Sequence, residues 1–156
     1  MKNRFQRIIS ESIDVKQQML EDEKLMKTLK KVIKSCVTAF QKDKKLLFCG
    51  NGGSASDAQH LAAELSGRFY IDRKPLFAEA LHVNSSFVTA VANDYNYEEV
   101  FARMVQGAGR KGDVLFAIST SGNYSNILKT IEAARKQKMI IVGMTGATGG
   151  KMKNQC

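Results

Sequence analysis

The sequence has 156 residues, and its 24 lysines and arginines against 15 aspartates and glutamates give a net charge of +9. With 44% hydrophobic and 25% charged residues, the composition excludes an intrinsically disordered chain. No run of about 18 apolar residues occurs, which excludes a transmembrane helix, and no signal peptide is expected at the N-terminus. Three scattered cysteines form neither a disulfide framework nor a CxxC metal site, so we expect a reducing cytoplasm.

Most of the positive charge lies near the N-terminus. Residues 1–45 carry 12 − 6 = +6, whereas residues 46–156 carry 12 − 9 = +3. Because no aromatic residues interleave with the basic run, we expect the lysines to solvate the outer faces of helices. We therefore predict neither a nucleic-acid partner nor a membrane partner.

Apolar periodicity predicts two helices, over about residues 3–22 and over residues 24–41, which could pack on a sheet or on another subunit. After residue 44, short apolar runs alternate with helical patterns, and this alternation predicts a doubly wound parallel α/β sheet. The predicted strands are 46–49, 77–83, 113–118 and 139–144, and the predicted helices are 55–66, 85–91, 97–106 and 123–137.

Three loops that follow predicted strands are rich in glycine and hydroxyl side chains: residues 49–56, 119–123 and 145–150. In open α/β sheets, ligands bind beyond the carboxyl ends of the strands. The first two loops run directly into helices, and a glycine-rich helix N-terminus favours an anion. Any one loop could be a plain turn, but together they predict a phosphate site.

The first loop fails the Walker A pattern, because Ala55 stands five residues after Gly50 and no lysine follows it. The loop does fit the dinucleotide pattern G-x-G-x-x-G/A at Gly50, Gly52 and Ala55, with Asp72 about 20 residues further on. An NAD(P)-dependent oxidoreductase is therefore an alternative, although it leaves the second loop without a role. Protection against thermal unfolding by NAD(P) rather than by a sugar phosphate would favour it.

The predicted helix after the first loop carries His60 and Glu64 on one face, on the same stripe as Asp57. Such a pair can hold a divalent metal ion or transfer protons, or it can be an exposed surface pair. Its position behind a phosphate-type loop favours the functional interpretation. His82 is interpreted as a core histidine with satisfied hydrogen bonds. The spacing of Asn93–Asp94 favours a turn, although the pair could form a polar rim of the same cleft.

These motifs together resemble the phosphoheptose isomerases of the sugar-isomerase (SIS) domain superfamily, from about residue 5 to the end. The resemblance implies a flavodoxin-like three-layer αβα sandwich. It also implies N-terminal helices in residues 1–42 for packing and assembly into a homotetramer, and a sugar-phosphate-binding domain in residues 43–156. The segments that carry the resemblance are 49–54, 57–60, 63–68, 93–94, 112–115, 118–123 and 145–150.

The resemblance further implies conversion of sedoheptulose 7-phosphate to D-glycero-D-manno-heptose 7-phosphate, the first step toward activated heptose for lipopolysaccharide core or other surface glycans. His60 and Glu64 would bind Zn²⁺, and Glu64 would also be catalytic. Ketose–aldose exchange through an enediol(ate) needs a base for the C–H proton and an acid or metal to stabilise the oxyanion. The implied substrate-binding residues are Asn51, Gly52, Gly53, Ser54, Glu64, Asn93, Asp94, Ser119, Thr120 and Ser121.

Two features depart from the family pattern. Chains of the family continue past the position of Cys156 into a last strand and a helix, whose Gln and His complete the metal site and supply an acid/base. We therefore expect one zinc ion per subunit with its remaining ligands outside this sequence, and impaired activity of the 156-residue form. In addition, Tyr124 stands where the family usually has a phosphate-binding serine, for which Ser125 could substitute.

A different class of function stays open. Relatives with the same fold are non-enzymatic binding proteins, of the replication initiator-associating type or sensors of sugar phosphates. As far as the resemblance goes, the initiator-associating relatives lack the carboxylate at the position of Glu64, so its presence here favours the isomerase.

Overall fold

The computed structural model describes residues 2–156, and its contacts divide the chain into two units, Met1–Ser35 and Cys36–Cys156. No helix among the described residues is both long and apolar enough to cross a membrane. The helices are α1 (Lys2–Glu21), α2 (Glu23–Gln41), α3 (Gly53–Ser66), α4 (Ser85–Asp94), α5 (Val100–Ala108) and α6 (Ser125–Lys136), with 3₁₀ turns at Tyr97–Glu99 and Gly150–Asn154. The strands are β1 (Leu46–Cys49), β2 (Ala78–Ala80), β3 (Val114–Ser119) and β4 (Ile140–Thr145).

The first unit consists of α1 and the first part of α2, and both predicted N-terminal helices are confirmed. Asp22 separates them, and its carboxylate accepts a hydrogen bond of 2.9 Å from the Leu25 N–H, which caps the start of α2. The apolar stripe predicted from the periodicity is exposed to solvent in both helices. Its exposed members are Phe5, Ile8, Ile9, Ile13, Met19, Leu20, Leu29 and Ile33.

The second unit is built on a parallel four-stranded sheet with the order β2-β1-β3-β4, which confirms the predicted doubly wound fold. From β1 the chain passes through α3 to β2 on one side, and it returns to β3 on the other side of β1. The strand order therefore reverses between β1 and β3. This switch point is the position at which open α/β sheets bind ligands.

Both faces of the sheet are covered, as the short, continuously apolar strands require. Leu46 and Phe48 of β1 pack in one core cluster with residues of α3 and with Ala39 at the end of α2. Leu47 and Cys49, which point to the opposite face, pack in a second cluster with residues of α4, α5 and α6. The three-layer αβα arrangement is therefore confirmed.

Buried charge ties the amino ends of the two central strands together. The Asp113 carboxylate, just before β3, lies 2.6 Å from Lys45 Nζ, just before β1. It also accepts hydrogen bonds from the backbone N–H groups of Lys45 and Arg110, at 3.2 and 2.8 Å. These contacts satisfy a carboxylate that would otherwise be costly to bury.

Three details differ from the predicted elements. Strand β2 covers only Ala78–Ala80, because the chain turns after Leu81 toward Asn84, whose side chain caps α4. Helix α4 continues to Asp94, so the prediction of a turn at Asn93–Asp94 is wrong and these two residues end a helix. The 3₁₀ turn at Gly150–Asn154 was not predicted, since it has no apolar periodicity of its own.

Candidate functional site

Two of the three predicted loops meet in one cleft at the switch point of the sheet, which we call the two-loop cleft. Its volume is about 710 Å³, and it lies beyond the carboxyl ends of β1 and β3. The loop after β1 contributes one wall, and the loop after β3 with the start of α6 contributes another. The lining residues are Asn51, Gly52, Gly53, Ser54, Tyr97, Glu98, Thr120, Tyr124, Ser125 and Asn126.

The first loop presents backbone donors to this cleft. Gly52 has φ +55° and carries the chain into α3, a conformation that an L side chain would strain. Within residues 2–156, the N–H groups of Gly52 and Gly53 donate to no backbone carbonyl, and both glycines are exposed. Helix α6 also begins in this cleft, at Ser125. Two helix N-termini therefore face one cavity, an arrangement that favours an anion such as a phosphate.

The hydroxyl groups of the second loop differ in what they contact. Thr120 is exposed and lines the cleft. Ser119 is buried, and its Oγ accepts a hydrogen bond of 3.1 Å from the Gly122 N–H, which closes the turn. Ser121 is exposed, and its Oγ accepts one of 3.2 Å from the Asn123 N–H. Of the three predicted ligands in this loop, only Thr120 lines the two-loop cleft.

A reciprocal pair of hydrogen bonds joins the two walls of the cleft. Asn51 Nδ2 donates to Asn126 Oδ1 at 3.0 Å, and Asn126 Nδ2 donates to Asn51 Oδ1 at 2.8 Å. Asn51 belongs to the loop after β1 and Asn126 to the first turn of α6. The two amides thus connect a loop and a helix that lie 75 residues apart in the sequence.

The rim of the cleft carries a cluster of charged side chains. Lys129 Nζ lies 2.6 Å from Glu99 Oε1 and 3.0 Å from Glu98 Oε2. Its hydrogen bonds to Glu99 and then to Glu98 raise the pKa of Lys129. The carboxylate of Glu98, which lines the cleft, is therefore paired with a cation rather than left to repel an anionic ligand.

The third glycine-rich loop supports the second loop instead of lining the two-loop cleft. Gly146 N–H donates to Thr120 O at 2.9 Å, and Met152 N–H donates to Gly122 O at 3.1 Å. The Lys151 N–H also donates to the Asn123 side chain at 3.0 Å. Residues 145–149 line a separate cavity of about 250 Å³. The prediction that all three loops contribute to one phosphate site is therefore corrected to two.

His60 and Glu64 lie on α3 but line a different depression, which we call the His–Glu groove. His60 Nε2 is 3.0 Å from Glu64 Oε1, and the two side chains are 75% and 34% exposed. Asp57 borders the same groove, as the shared helical stripe predicts. The groove has a volume of about 550 Å³, and its other lining residues are Leu61, Leu65, Phe69, Ile118 and Met144.

The donor set of the His–Glu groove fits part of a zinc site. An imidazole nitrogen and a carboxylate oxygen are both common ligands of Zn²⁺, and here they are adjacent. Among residues 2–156, no group of three His, Cys, Asp or Glu side chains could hold a metal ion together. His60 and Glu64 can therefore supply two ligands of the usual four.

The other residues singled out in the sequence lie elsewhere. Asn93 and Asp94, joined by a hydrogen bond of 3.0 Å, are exposed at the end of α4 and line neither the two-loop cleft nor the His–Glu groove. Asp72 lies before β2, at the amino end of that strand. In a dinucleotide site, the acidic residue that binds the ribose must lie at the carboxyl ends of the strands, where the glycine loop lies. Asp72 does not meet this requirement, which argues against the dinucleotide interpretation.

His82 differs from its prediction as a satisfied core histidine. The residue is only partly buried, yet its Nδ1 atom is buried and has no hydrogen-bond partner among the described residues. Burial lowers the pKa of His82.

Four residues that line the two-loop cleft were not predicted to do so: Tyr97, Glu98, Tyr124 and Asn126. In the sequence, Tyr124 stands out only as a departure from the family pattern. Tyr97 and Glu98 belong to a 3₁₀ turn that only tertiary packing brings to the switch point. For Asn126 the sequence did hold a signal. It is a polar residue on the stripe of Ile127, Thr130 and Ile131, which is buried, and buried polar groups require partners.

Comparison with known proteins agrees with this geometry. The family model described as SIS domain matches residues 9–146. The phosphoheptose isomerase of Aneurinibacillus thermoaerophilus is 47% identical over 148 residues, which are 95% of this chain and 75% of that protein.

Two solved structures are also similar. The phosphoheptose isomerase of Neisseria gonorrhoeae superposes with a TM-score of 0.90 at 38% identity, covering 98% of this chain and 79% of that one. The phosphoheptose isomerase of Francisella tularensis superposes with a TM-score of 0.92 at 33% identity, covering 97% of this chain and 78% of that one.

Proposed function

Because the chain belongs to the SIS-domain family and, within it, to the phosphoheptose isomerases, which are enzymes, we propose that it converts sedoheptulose 7-phosphate to D-glycero-D-manno-heptose 7-phosphate. One observation carries the proposal. The two-loop cleft offers an anion site at the start of α3, and the same helix carries His60 and Glu64 two to three turns further on. The substrate class is a small sugar phosphate, and the chemistry is that of a heptose-phosphate isomerase.

In this proposal, the two-loop cleft holds the phosphate end of the substrate. The N–H groups of Gly52 and Gly53 and the hydroxyl of Thr120 donate to phosphate oxygens, together with Asn51 and Ser54, which line the same cleft. Ser119 and Ser121, whose Oγ atoms accept hydrogen bonds within the second loop, hold Thr120 in position. Asn93 and Asp94, which line neither the two-loop cleft nor the His–Glu groove in this structure, are the proposed ligands of the sugar hydroxyls at the end of α4. Binding energy at the non-reacting end then positions the carbons between which the proton moves.

Glu64 is the proposed base that removes the C–H proton and returns it to the adjacent carbon, through an enediol(ate). Its partly buried position and its contact with His60 keep the carboxylate oriented along the groove. His60 and Glu64 would hold one Zn²⁺ ion per subunit, which would polarise the substrate carbonyl. The apolar side chains of the groove limit the access of water to the reacting carbons.

We further propose that residues 1–42 form helices for assembly into a homotetramer and that residues 43–156 form the sugar-phosphate-binding domain. The exposed apolar stripes of α1 and of the first part of α2 support this assembly, since isolated helices of this kind gain most of their stability from packing. Three free cysteines support a reducing cytoplasm as the location. There the product would enter the synthesis of activated heptose for surface glycans.

The test is turnover and binding of sedoheptulose 7-phosphate by wild type and by Glu64→Gln. Loss of a general base predicts a fall in kcat of about 10²–10⁴-fold, while the dissociation constant of the substrate changes little. Glu132→Gln is the matched control, because Glu132 lies on the exposed face of α6 and its one ion pair within residues 2–156 is with Lys136.

Undiminished turnover by Glu64→Gln would remove Glu64 from the mechanism. Binding of the sugar phosphate with no detectable turnover, not even the reduced turnover expected of the 156-residue form, would favour the non-enzymatic binding protein instead. Protection of the wild type by NAD(P) and not by the heptose phosphate would overturn the isomerase.

A further inference from the structure

The reciprocal amide pair between Asn51 and Asn126 is the most specific contact between the two walls of the two-loop cleft. Asn126 is 5% exposed, although asparagine is a poor residue for a buried helix position. Its side chain does not cap α6; instead it both donates to and accepts from Asn51. Since a buried amide is costly without partners, the pair favours one position of the first loop over all others.

We propose that Asn126 is a positioning residue, which holds the Asn51 side chain and with it the Gly52–Gly53 segment in the conformation that receives the ligand. Asn51 directly precedes the two glycines whose N–H groups are free to bind an anion. A glycine-rich segment samples many conformations unless it is held, so an anchor at its first residue reduces the entropy that ligand binding must overcome. The effect on catalysis rests on the proposed function, whereas the effect on the loop does not.

The proposal makes a chemical prediction that a purely structural contact would not. Each amide contributes one donor and one acceptor, and a protonated carboxylic acid has the same shape and the same pairing capacity. In Asn126→Asp, the ionised carboxylate keeps the bond from Asn51 Nδ2 but places a second oxygen against Asn51 Oδ1. Protonation of that carboxyl restores both bonds. The variant therefore gains a pH dependence that the wild-type pair, which has no titratable group, lacks.

The direction of that dependence follows from the burial of position 126. At a position that is 5% exposed, burial disfavours the charged form more strongly than the N-terminus of α6 favours it, so the new carboxyl has a pKa above the ordinary value of about 3.9. Below that pKa the pair is intact and the loop is held. Above it, Asn51 Oδ1 has lost its donor and faces a carboxylate oxygen, and the first loop is released.

The experiment compares Asn126→Asp with the wild type between pH 5 and pH 8. The first readout is the pair of backbone amide NMR resonances of Gly52 and Gly53, which needs no activity. We expect them to titrate in the variant and not in the wild type. The second is the ratio of variant to wild-type KM for sedoheptulose 7-phosphate, which we expect to rise to about tenfold at pH 8 and to fall toward one at pH 5, with a smaller change in kcat. Resonances that stay independent of pH in a folded variant would overturn the proposal.

Two further variants complete the design. Asn84→Asp makes the same chemical change at the cap of α4, where the side chain only accepts a bond, so neither readout should change. Asn126→Ala removes the pair at every pH, and it should weaken binding of inorganic phosphate by about tenfold without a pH-dependent difference. If Asn126→Asp does not fold, an Asn126→Ala variant that binds phosphate like the wild type overturns the proposal. If the wild type fails to convert the heptose phosphate, the proposed function fails, but the NMR resonances and the phosphate affinity still test the positioning role of Asn126.

Discussion

At the scale of the residue, His82 has one ring nitrogen that is buried although the residue as a whole is only partly buried. Its ring is partly exposed, but Nδ1 is buried without a partner among residues 2–156, and burial lowers its pKa. A histidine with a lowered pKa in the folded state binds its proton less readily than it does in the unfolded chain. It therefore leaves stability unaffected above its ordinary pKa of about 6.5 and reduces it as the pH falls through the folded-state value.

We predict that the free energy of unfolding declines less steeply between pH 7.5 and pH 5 in His82→Gln than in the wild type. Urea denaturation at a series of pH values measures this difference, and carboxylates common to both proteins cancel in the comparison. Parallel curves for His82→Gln and the wild type would show that the buried Nδ1 atom has no energetic consequence.

At the scale of the element, helix α6 begins without a side-chain cap. Tyr124 occupies the N-cap position in an extended conformation, and its side chain accepts no hydrogen bond from the helix. Serine is among the preferred residues there, because its hydroxyl accepts a bond from an otherwise unpaired N–H of the first turn. The ring of Tyr124 is 53% exposed, so its removal sacrifices little buried area.

We predict that Tyr124→Ser stabilises the protein by about 1 kcal/mol relative to Tyr124→Ala, since the two variants lose the same ring and differ in the cap. Chemical denaturation of both variants measures the difference. The serine variant should also bind inorganic phosphate more tightly than the alanine variant, because its hydroxyl lies beside the cleft. Equal stabilities of the two variants would contradict the expected capping bond.

Also at the scale of the element, glycines allow the second and third loops to come into contact. Gly122 has φ +67°, and a Cβ atom there would overlap the carbonyl oxygen of Gly149. The two loops approach each other this closely because neither residue has a side chain. The glycine pattern that suggested a third phosphate loop thus has a different cause, which is contact between two backbones.

At the scale of the whole molecule, the apolar stripe of α1 is exposed to solvent, and no other described residue covers it. Ile9 and Ile13 are 61% and 60% exposed, and they lie on one face of the helix together with Phe5. Large exposed apolar surfaces of this kind mark interaction sites. The proposed homotetramer would bury them.

We predict that the wild type sediments as a tetramer and that Ile9→Lys combined with Ile13→Lys lowers its mass, because two lysines would be buried in the interface. Analytical ultracentrifugation measures both species. Gln18→Lys, a charged substitution at an exposed position on the opposite face of the same helix, should leave the tetramer intact. A monomeric wild type, or a doubly substituted protein that stays tetrameric, would refute the role of α1.

Much of the fold could be predicted from the sequence, because each element has its own local pattern. Helices α1 and α2 follow from apolar spacing, and β1 and β3 from short apolar runs that end at glycine or serine. The limits of β2 and α4 could not be predicted in the same way. They depend on where Asn84 caps a helix and where the ladder to β1 ends.

The sequence by itself determined the chemistry available at the site: the Gly52–Gly53 loop, the hydroxyl-rich loop after β3, and the pairing of His60 with Glu64 through one helical turn. Only the tertiary structure decided which of these groups meet. It brought Asn126 against Asn51, turned the third loop into a support, and placed His60 and Glu64 in a groove separate from the two-loop cleft. The physical reason is that a spacing of three or four residues constrains neighbours on one helix, whereas contacts across 75 residues depend on the order of the strands in the sheet.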